Sequence, residues 1–119
     1  HPRYPEIFAV GDVCGTSNAK TAAAARKQVV VVADNLIALR KGAALPKRYD
    51  GYGSCPLTVE KGKVILAEFG YGAKLLPTFP LDPVVPRTSA WFLKATLLPW
   101  FYWQGMLKGR EWFTDCKQD

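Results

Sequence analysis

The sequence predicts an α+β fold on three observations. A short apolar run leads into a long helical pattern, a β-hairpin pattern lies in the middle of the chain, and aromatic residues cluster near its end. The 119 residues are enough for one domain-sized unit with a substantial core. An apolar fraction of 49% and a charged fraction of 22% are ordinary for folded proteins and disfavour disorder, collagen and coiled coil.

The first predicted element is a strand. Residues 7–10, Ile-Phe-Ala-Val, form a continuous apolar run between Pro5 and Gly11, which is typical of a strand buried on both faces of a parallel sheet. Such a strand would place Asp12 at its carboxyl end.

A helix is predicted over residues 19–40. Ser17 or Asn18 would cap its start and Gly42 would end it. The four valines at 29–32 favour a strand, but the alanine-rich approach and the amphipathic continuation favour a helix. The apolar positions that recur at helical spacing are Ala22, Ala25, Val29, Val32, Ala33 and Leu36.

The middle of the chain predicts a β-hairpin followed by an extended connection. Residues 57–59 and 64–69 flank the turn at 60–63, as strands of a hairpin do. Residues 75–86 contain four prolines, which favour an ordered loop or extended segment with little regular structure.

The last predicted elements are aromatic helices. Eight of the fifteen aromatic residues lie between 91 and 113, and residues 83–110 contain four cations and no acidic residue. The longest apolar stretch, 89–103, is interrupted by Lys94 and Pro99 and is shorter than the roughly 20 residues that cross a bilayer. This pattern predicts helices lying in the plane of a membrane surface. The alternative is an aromatic core helix that covers the sheet.

Net charge and residue usage exclude several classes of function. A charge of +6 favours anionic surroundings without choosing among phosphates, lipids and acidic partners. A small basic module for nucleic acid is a remote alternative, because no zinc knuckle, RNP-type segment or helix-turn-helix pattern is present. One histidine, His1, and three cysteines without CxxC spacing offer no metal site. The start at His1, without a signal-peptide pattern, leads us to interpret the chain as a fragment.

The run Tyr-Pro-Glu-Ile-Phe-Ala-Val-Gly-Asp, residues 4–12, is the most specific motif. A strand ending in Gly-Asp delivers the Asp12 carboxylate to the sheet edge where ligands bind, and Gly11 permits close approach. The N-terminus of the following helix, with Lys20 and Thr21, adds free N–H groups and about half a positive charge. An Asp in an ordinary turn and a solvated Lys20 are the alternatives.

The second motif is Tyr-Asp-Gly-Tyr-Gly-Ser-Cys-Pro-Leu-Thr, residues 49–58. Its Cys55 lies on backbone constrained by glycine and proline, which suits a thiol that must be held in a fixed position to react with more than one group. A small buried apolar cysteine is the alternative. Cys14 is expected to be structural, and Cys116 exposed and incidental.

Together the two motifs resemble sulfide:quinone oxidoreductase, a family of two-dinucleotide-domain, Rossmann-like flavoproteins. The resemblance covers roughly residues 2–112. It implies a C-terminal fragment in which residues 1–45 are the terminal strand and helix of the FAD-binding domain. Residues 46–86 would then carry the hairpin, the proline-rich loop and the redox cysteine, and 87–119 the membrane-surface helices of the quinone site.

The resemblance also implies a mechanism and partners. Sulfide would attack a disulfide between Cys55 and a cysteine outside this chain, electrons would pass through FAD to quinone, and the sulfur would pass to an acceptor. The enzyme would be peripheral to a bacterial cytoplasmic or mitochondrial inner membrane, and the fragment alone would be inactive and prone to self-association or homo-oligomerisation. The implied flavin-binding residues are Gly11, Asp12, Lys20 and Thr21. The candidates to flank the quinone are Phe69, Trp91, Phe92 and Tyr102.

Two other flavoenzymes are weighed against this interpretation. A type II NADH:quinone dehydrogenase also ends in membrane-binding helices, but hydride transfer from a nicotinamide needs no thiol at Cys55. A disulfide reductase of the glutathione reductase kind would place a catalytic histidine in its C-terminal part, and the only histidine here is His1.

Overall fold

The computed structural model describes residues 1–76 and 82–116, and these form an α+β arrangement. This confirms the predicted class. A long helix precedes a two-stranded antiparallel sheet, and a continuous helical run follows it. The elements are α1 (Ala22–Arg40), β1 (Gly53–Glu60), β2 (Lys63–Phe69), α2 (Thr88–Phe92), a π-helical turn (Leu93–Leu97) and α3 (Leu98–Gln104).

The strand predicted at residues 7–10 is wrong. The Ile7 N–H donates to the Tyr4 carbonyl at 3.0 Å, and the Ile7 carbonyl accepts from the His1 amino group at 2.7 Å. A strand requires a hydrogen-bonded neighbour. Among the described residues the sheet contains only β1 and β2, so the segment is held by local bonds instead.

Helix α1 forms as predicted, including its four valines, but it starts later and has a different cap. The Thr21 hydroxyl accepts the Ala24 N–H at 3.2 Å, so neither Ser17 nor Asn18 caps it. Its C-terminus is a Schellman motif around Gly42, whose φ of +68° favours glycine. The Gly42 and following N–H groups donate to two carbonyls of the last turn, each at 3.0 Å.

The buried stripe of α1 is mainly polar. The apolar positions that predict the helix face outward in part, and Val29 is 53% exposed. The loop between α1 and β1 packs against the opposite face of α1 and presents charged side chains and backbone groups to it. That face of α1 therefore buries polar side chains that can bond to the loop. The buried residues of α1 are Ala24, Lys27, Gln28, Val31 and Asn35.

The hairpin is confirmed, and β1 begins earlier than predicted, so that Cys55 lies inside it. The strands pair from Gly53 opposite Phe69 to Thr58 opposite Val64. Because side chains alternate along a strand, the hairpin has two faces. The cysteine face carries Gly53, Cys55, Leu57, Ile65, Ala67 and Phe69. The glutamate face carries Ser54, Pro56, Thr58, Val64, Leu66 and Glu68.

The C-terminal helices also form as predicted, and a π-helical turn accommodates the proline. Pro99 has no N–H to donate to the preceding turn. The turn just before it widens, and the Leu98 N–H donates to the Leu93 carbonyl five residues back. Nowhere in residues 1–76 and 82–116 is a helix both long enough and apolar enough to cross a membrane. Of the predicted proline-rich connection, residues 77–81 lie outside the described residues.

Backbone hydrogen bonds and ring contacts attach this helical run to the rest of the fold. Arg87 and Val64 exchange backbone hydrogen bonds of 2.9 and 3.2 Å at the edge of β2. On α3, the Phe101 ring stacks on Trp112 at 5.7 Å, and the Arg26 guanidinium of α1 lies 4.8 Å from the centre of the same ring. These cation–π and stacking contacts join α1, α3 and the C-terminal segment.

Candidate functional site

The Gly-Asp motif forms a single 3-10 turn, Gly11–Val13, beside α1. Gly11 has a φ of +72°, and its N–H donates to the Gln28 side-chain oxygen at 2.7 Å. The Asp12 side chain is exposed. The turn therefore holds the carboxylate outward, where it can accept a hydrogen bond from a ligand hydroxyl.

The N-terminus of α1 supplies hydrogen-bond donors near this turn. The Thr21 cap takes the Ala24 N–H, which leaves the Ala22 and Ala23 amides without partners inside the helix. Lys20 is not simply solvated, because its ammonium donates to the Cys14 and Thr16 carbonyls, each at 2.7 Å. Its charge is thus held just before the helix.

Cys55 lies on the face of the hairpin that contacts the start of α1. A Cβ atom on Gly53, which shares that face, would lie 3.2 Å from the Ala19 Cβ and 3.3 Å from the Thr21 hydroxyl oxygen. Phe69 is on the same face, diagonal to Cys55 and within reach of an aromatic side chain. The structure therefore brings Cys55, Phe69 and the α1 N-terminus to one side of the hairpin.

All three cysteines are free and half-buried. Cys55 lies within β1, and the half-burial of Cys14 is consistent with the structural thiol expected there. Cys116 was expected to be exposed, and that prediction is wrong: Cys116 lines a small cavity, because the C-terminal segment packs back onto α1. The other residues that line the cavity are Val30, Val31, Lys47, Thr114 and Asp115.

The remaining quinone candidates lie on the C-terminal helical run. The Lys94 ammonium donates to the Pro56 carbonyl at 2.8 Å and to the Thr58 hydroxyl at 2.7 Å, which attaches the helical run to the glutamate face. Trp91 is half-buried, Phe92 is exposed, and Tyr102 packs edge-on against its neighbour Trp103 at 5.3 Å. Of the four candidates, Phe69 lies in the hairpin on the same face as Cys55.

Comparisons with known proteins bear on this arrangement. No protein-family model matches the chain. The mitochondrial sulfide:quinone oxidoreductase of Dictyostelium discoideum is 42% identical over 113 residues, which are 95% of this chain and 25% of that protein. The mouse protein of the same name is 40% identical over 109 residues, 92% of this chain and 24% of its own length. The Schizosaccharomyces pombe protein is 37% identical over 116 residues, 93% of this chain and 25% of its own length.

The resemblance to the sulfide:quinone oxidoreductases is confirmed. The chain spans about a quarter of the length of the curated relatives it matches. Each of these relatives is named as an oxidoreductase and as mitochondrial.

Sequence reasoning missed a buried charge cluster in this sulfide:quinone oxidoreductase homologue. The Lys27 ammonium lies 3.0 Å from an Asp50 carboxylate oxygen and 4.5 Å from the centre of the Tyr52 ring. The Tyr52 hydroxyl donates to the buried Glu68 carboxylate. Burial, and then the bond to Glu68, raise the pKa of Tyr52 well above its ordinary value. A charged residue within an alanine-rich helix gives no local signal that it will be buried.

The segment before Cys55 is also held by tyrosines that the sequence does not single out. The Tyr71 hydroxyl donates to the Tyr49 carbonyl at 3.0 Å, and the two rings meet edge-on at 5.9 Å. Gly51 has a φ of +80°, and a Cβ atom there would lie 2.5 Å from the Tyr71 ring. Only glycine fits this approach, so the loop before Cys55 has one tightly defined path.

Proposed function

We propose that this chain is the C-terminal part of a full-length sulfide:quinone oxidoreductase, here called the parent protein. The parent oxidises sulfide to sulfane sulfur and passes the electrons through FAD to membrane quinone. The observation that carries the proposal is the shared face of Cys55, Phe69 and the α1 N-terminus. A thiol, an aromatic ring and helix donors at one place are what this chemistry requires.

In the proposed sulfur step, Cys55 is joined by a disulfide to a cysteine of the parent outside this chain. Hydrosulfide attacks one sulfur of that disulfide, and a new S–S bond forms as the old one breaks. The displaced cysteine leaves as a thiolate with the electron pair. The substrate sulfur has then become the outer sulfur of a persulfide, ready for transfer to an acceptor.

The cofactor proposal rests on the donors and acceptors around the Gly-Asp turn. Exposed Asp12 would accept from a ribityl hydroxyl, and the amides at the start of α1, with Lys20 and Thr21, would favour negative charge. These groups fit FAD, which supplies a two-electron acceptor when bound. Gly11 would allow the cofactor to approach the backbone.

The quinone and membrane proposal concerns Phe69 in the hairpin and the exposed aromatic residues of the C-terminal helical run. Phe69 would flank the quinone ring on the cysteine face. Trp100 and Trp103 are 57% and 61% exposed, which suits burial in a lipid interface, whereas Phe101 packs inward. Because Lys94 bonds to β1, we assign the contact with anionic lipid to the remaining cations, Arg87, Lys108 and Arg110.

The central test is Cys55→Ser in the parent protein. This variant should keep the yellow flavin spectrum and lose sulfide-dependent flavin reduction, because no thiol remains to form the disulfide. Cys14→Ser and Cys116→Ser are matched controls and should stay active. Near-normal sulfide turnover by Cys55→Ser would refute the proposal, and flavin reduction by NADH in that variant would support the dehydrogenase alternative.

A second test concerns the membrane. The parent should co-sediment more with vesicles of anionic lipid than with neutral ones, and salt should weaken binding without abolishing it, since each cation contributes roughly 1 kcal/mol. Replacing Trp100 and Trp103 together by Ser should release the protein at low salt with its circular dichroism unchanged. A parent that stays in the supernatant with anionic vesicles would show that these aromatic residues serve another surface.

A third test uses the 119 residues alone. This segment contains Asp12 but no Gly-x-Gly-x-x-Gly phosphate-binding loop. It should therefore bind FAD weakly or not at all. Sub-micromolar binding in titration calorimetry would contradict this expectation.

A further inference from the structure

We propose that Glu68 is a positioning residue for Cys55. Its buried carboxylate holds Tyr52, and Tyr52 joins the strand that carries Cys55 to helix α1. Glu68 would thereby set where the Cys55 sulfur lies when it forms the disulfide with the cysteine of the parent outside this chain. This inference rests on the function proposed above, and it assigns a role to a residue that the proposed sulfur step does not itself use.

The Glu68 side chain contacts the chain just before Cys55. Glu68 is 5% exposed, and its carboxylate accepts a hydrogen bond from the Tyr52 hydroxyl. In the hairpin, Glu68 lies opposite Ser54, and its neighbour Ala67 lies opposite Cys55. The bond therefore reaches from the residue pair next to Cys55 to the residue that leads into β1.

Tyr52 is held from α1 at the same time. The Lys27 ammonium of α1 lies 4.5 Å from the centre of the Tyr52 ring and 3.0 Å from an Asp50 carboxylate oxygen. The other Asp50 carboxylate oxygen accepts the Tyr52 N–H at 3.1 Å. The next residue, Gly53, packs against the start of α1. The ring, the backbone and the hydroxyl of Tyr52 are therefore held by α1, by the preceding loop and by β2 in turn.

The chemistry of the contact favours a role in position. A buried carboxylate is costly unless it is hydrogen-bonded, and an apolar side chain in its place would avoid that cost. The bond to the Tyr52 hydroxyl is directional, so it fixes the distance and the angle between the end of the ring and β2. An apolar contact at the same place would hold the two strands together without defining that geometry.

Position matters because a disulfide tolerates only a narrow geometry. The Cα atoms of a bonded pair are usually about 4.4–6.8 Å apart, and departures from this geometry make the bond more reducible. Without the Glu68 carboxylate, the Tyr52 hydroxyl loses its bond to β2, and the start of β1 can shift against α1. The Cys55 disulfide should then be easier to reduce.

The experiment measures how reducible the Cys55 disulfide is in the parent protein. The parent is equilibrated with a glutathione buffer, in which two glutathione thiols reduce one protein disulfide to two thiols and become one glutathione disulfide. Mass spectrometry after differential alkylation gives the fraction of Cys55 in each state. Glu68→Leu should shift the equilibrium constant toward the thiols by about tenfold, which raises the reduction potential by roughly 30 mV.

The chain offers a matched control in Asn35→Leu. Asn35 is 7% exposed and bonds the Lys47 carbonyl and N–H at 2.8 and 3.0 Å, so this variant also loses buried hydrogen bonds. Its partner lies outside the candidate site. Both variants should therefore have a lower Tm, but only Glu68→Leu should shift the disulfide equilibrium. An equal shift in the two variants would overturn the positioning role.

Two further variants separate position from stability. Glu68→Gln keeps an acceptor oxygen for the Tyr52 hydroxyl, so its equilibrium constant should stay within about threefold of the wild-type value. Glu68→Leu combined with Tyr52→Phe replaces both partners by apolar groups, which should restore most of the lost Tm. The double variant should nevertheless keep the shifted equilibrium, because no directional bond remains. Recovery of the wild-type equilibrium together with the Tm would overturn the inference. If Glu68→Leu does not fold, the double variant replaces it in the comparison with Asn35→Leu.

The same measurement distinguishes this inference from the proposed function. If Cys55 forms the disulfide in the wild-type parent and Glu68→Leu has the same equilibrium constant, the positioning role is overturned and the function stands. A wild-type parent in which Cys55 forms no disulfide would overturn the function itself.

Discussion

Two regions of the molecule differ in which side chains they bury. The first region is formed by α1 and the hairpin, and the second is the C-terminal helical run. In the first, polar side chains are buried and bonded, as Lys27, Gln28 and Glu68 are. In the second, large apolar side chains are exposed. These include Phe92, Leu97, Trp100, Trp103, Leu107 and Phe113.

This difference separates residues that set geometry from residues that provide surface. Buried hydrogen bonds are directional and costly to leave unmade, so they define one arrangement of α1, the loop before Cys55 and the hairpin. Exposed apolar area is non-directional and favours contact with a second apolar phase. Substitutions should therefore reduce stability in the first region and affect association in the second.

The largest expected effect is at the buried ion pair. Lys27→Met should lower the free energy of unfolding by about 3–5 kcal/mol, because the pair with Asp50 is buried, with side chains 11% and 13% exposed. Lys47→Met is the control, since its pair with Asp34 is 39% and 40% exposed and is worth at most about 1 kcal/mol. Denaturant unfolding of the parent measures both, and equal losses would contradict the comparison.

A smaller loss is expected from Gly51→Ala. Gly51 and Gly62 have similar φ values, +80° and +82°, so an alanine at either costs about 1–2 kcal/mol of backbone strain. At Gly51 the new methyl also meets the Tyr71 ring, which adds about 1–3 kcal/mol. The Tm of Gly51→Ala should therefore fall further than that of Gly62→Ala. Identical shifts would show that the ring moves away freely.

Within α3, the aromatic side chains of Phe101 and Trp103 differ in the same way, because the first packs inward and the second is exposed. Phe101→Ala should cost about 2 kcal/mol, because it removes the contacts with Arg26 and Trp112. Trp103→Ala should change the free energy of unfolding by less than about 0.5 kcal/mol, since the ring is mostly exposed. A reversed order would mean that the outer aromatic residues form a core.

The smallest effect is a pH dependence in the first region. Burial raises the pKa of Tyr49 to about 12. From pH 10 to about 12 the unfolded chain loses this proton while the folded protein keeps it, so stability falls as the pH rises. Burial also raises the pKa of Tyr52 and of Tyr71, so Tyr49→Phe should reduce this alkaline slope without removing it. Tm measured from pH 9 upward tests this, and a slope identical to wild type would contradict it.

Local patterns made much of the fold predictable. The helix over α1, its end at Gly42 and the hairpin turn at 60–63 all depend on residues a few positions apart. The two motifs also identified the resemblance, and with it Asp12 and Cys55 as candidate site residues. The strand at 7–10 could not be judged this way, because its formation depends on a neighbouring strand rather than on its own residues.

The sequence by itself determined α1, the hairpin and the C-terminal helices, and it indicated Asp12 and Cys55 as candidate site residues. The tertiary structure alone decided that Thr21 caps α1 and that the Gln28 side chain accepts the Gly11 N–H. It also decided that α1 buries its polar stripe. The physical reason is range: element formation follows bonds between near neighbours, whereas the buried side chains of Gln28 and Lys27 are fixed by partners 17 and 23 residues away, which no local pattern predicts.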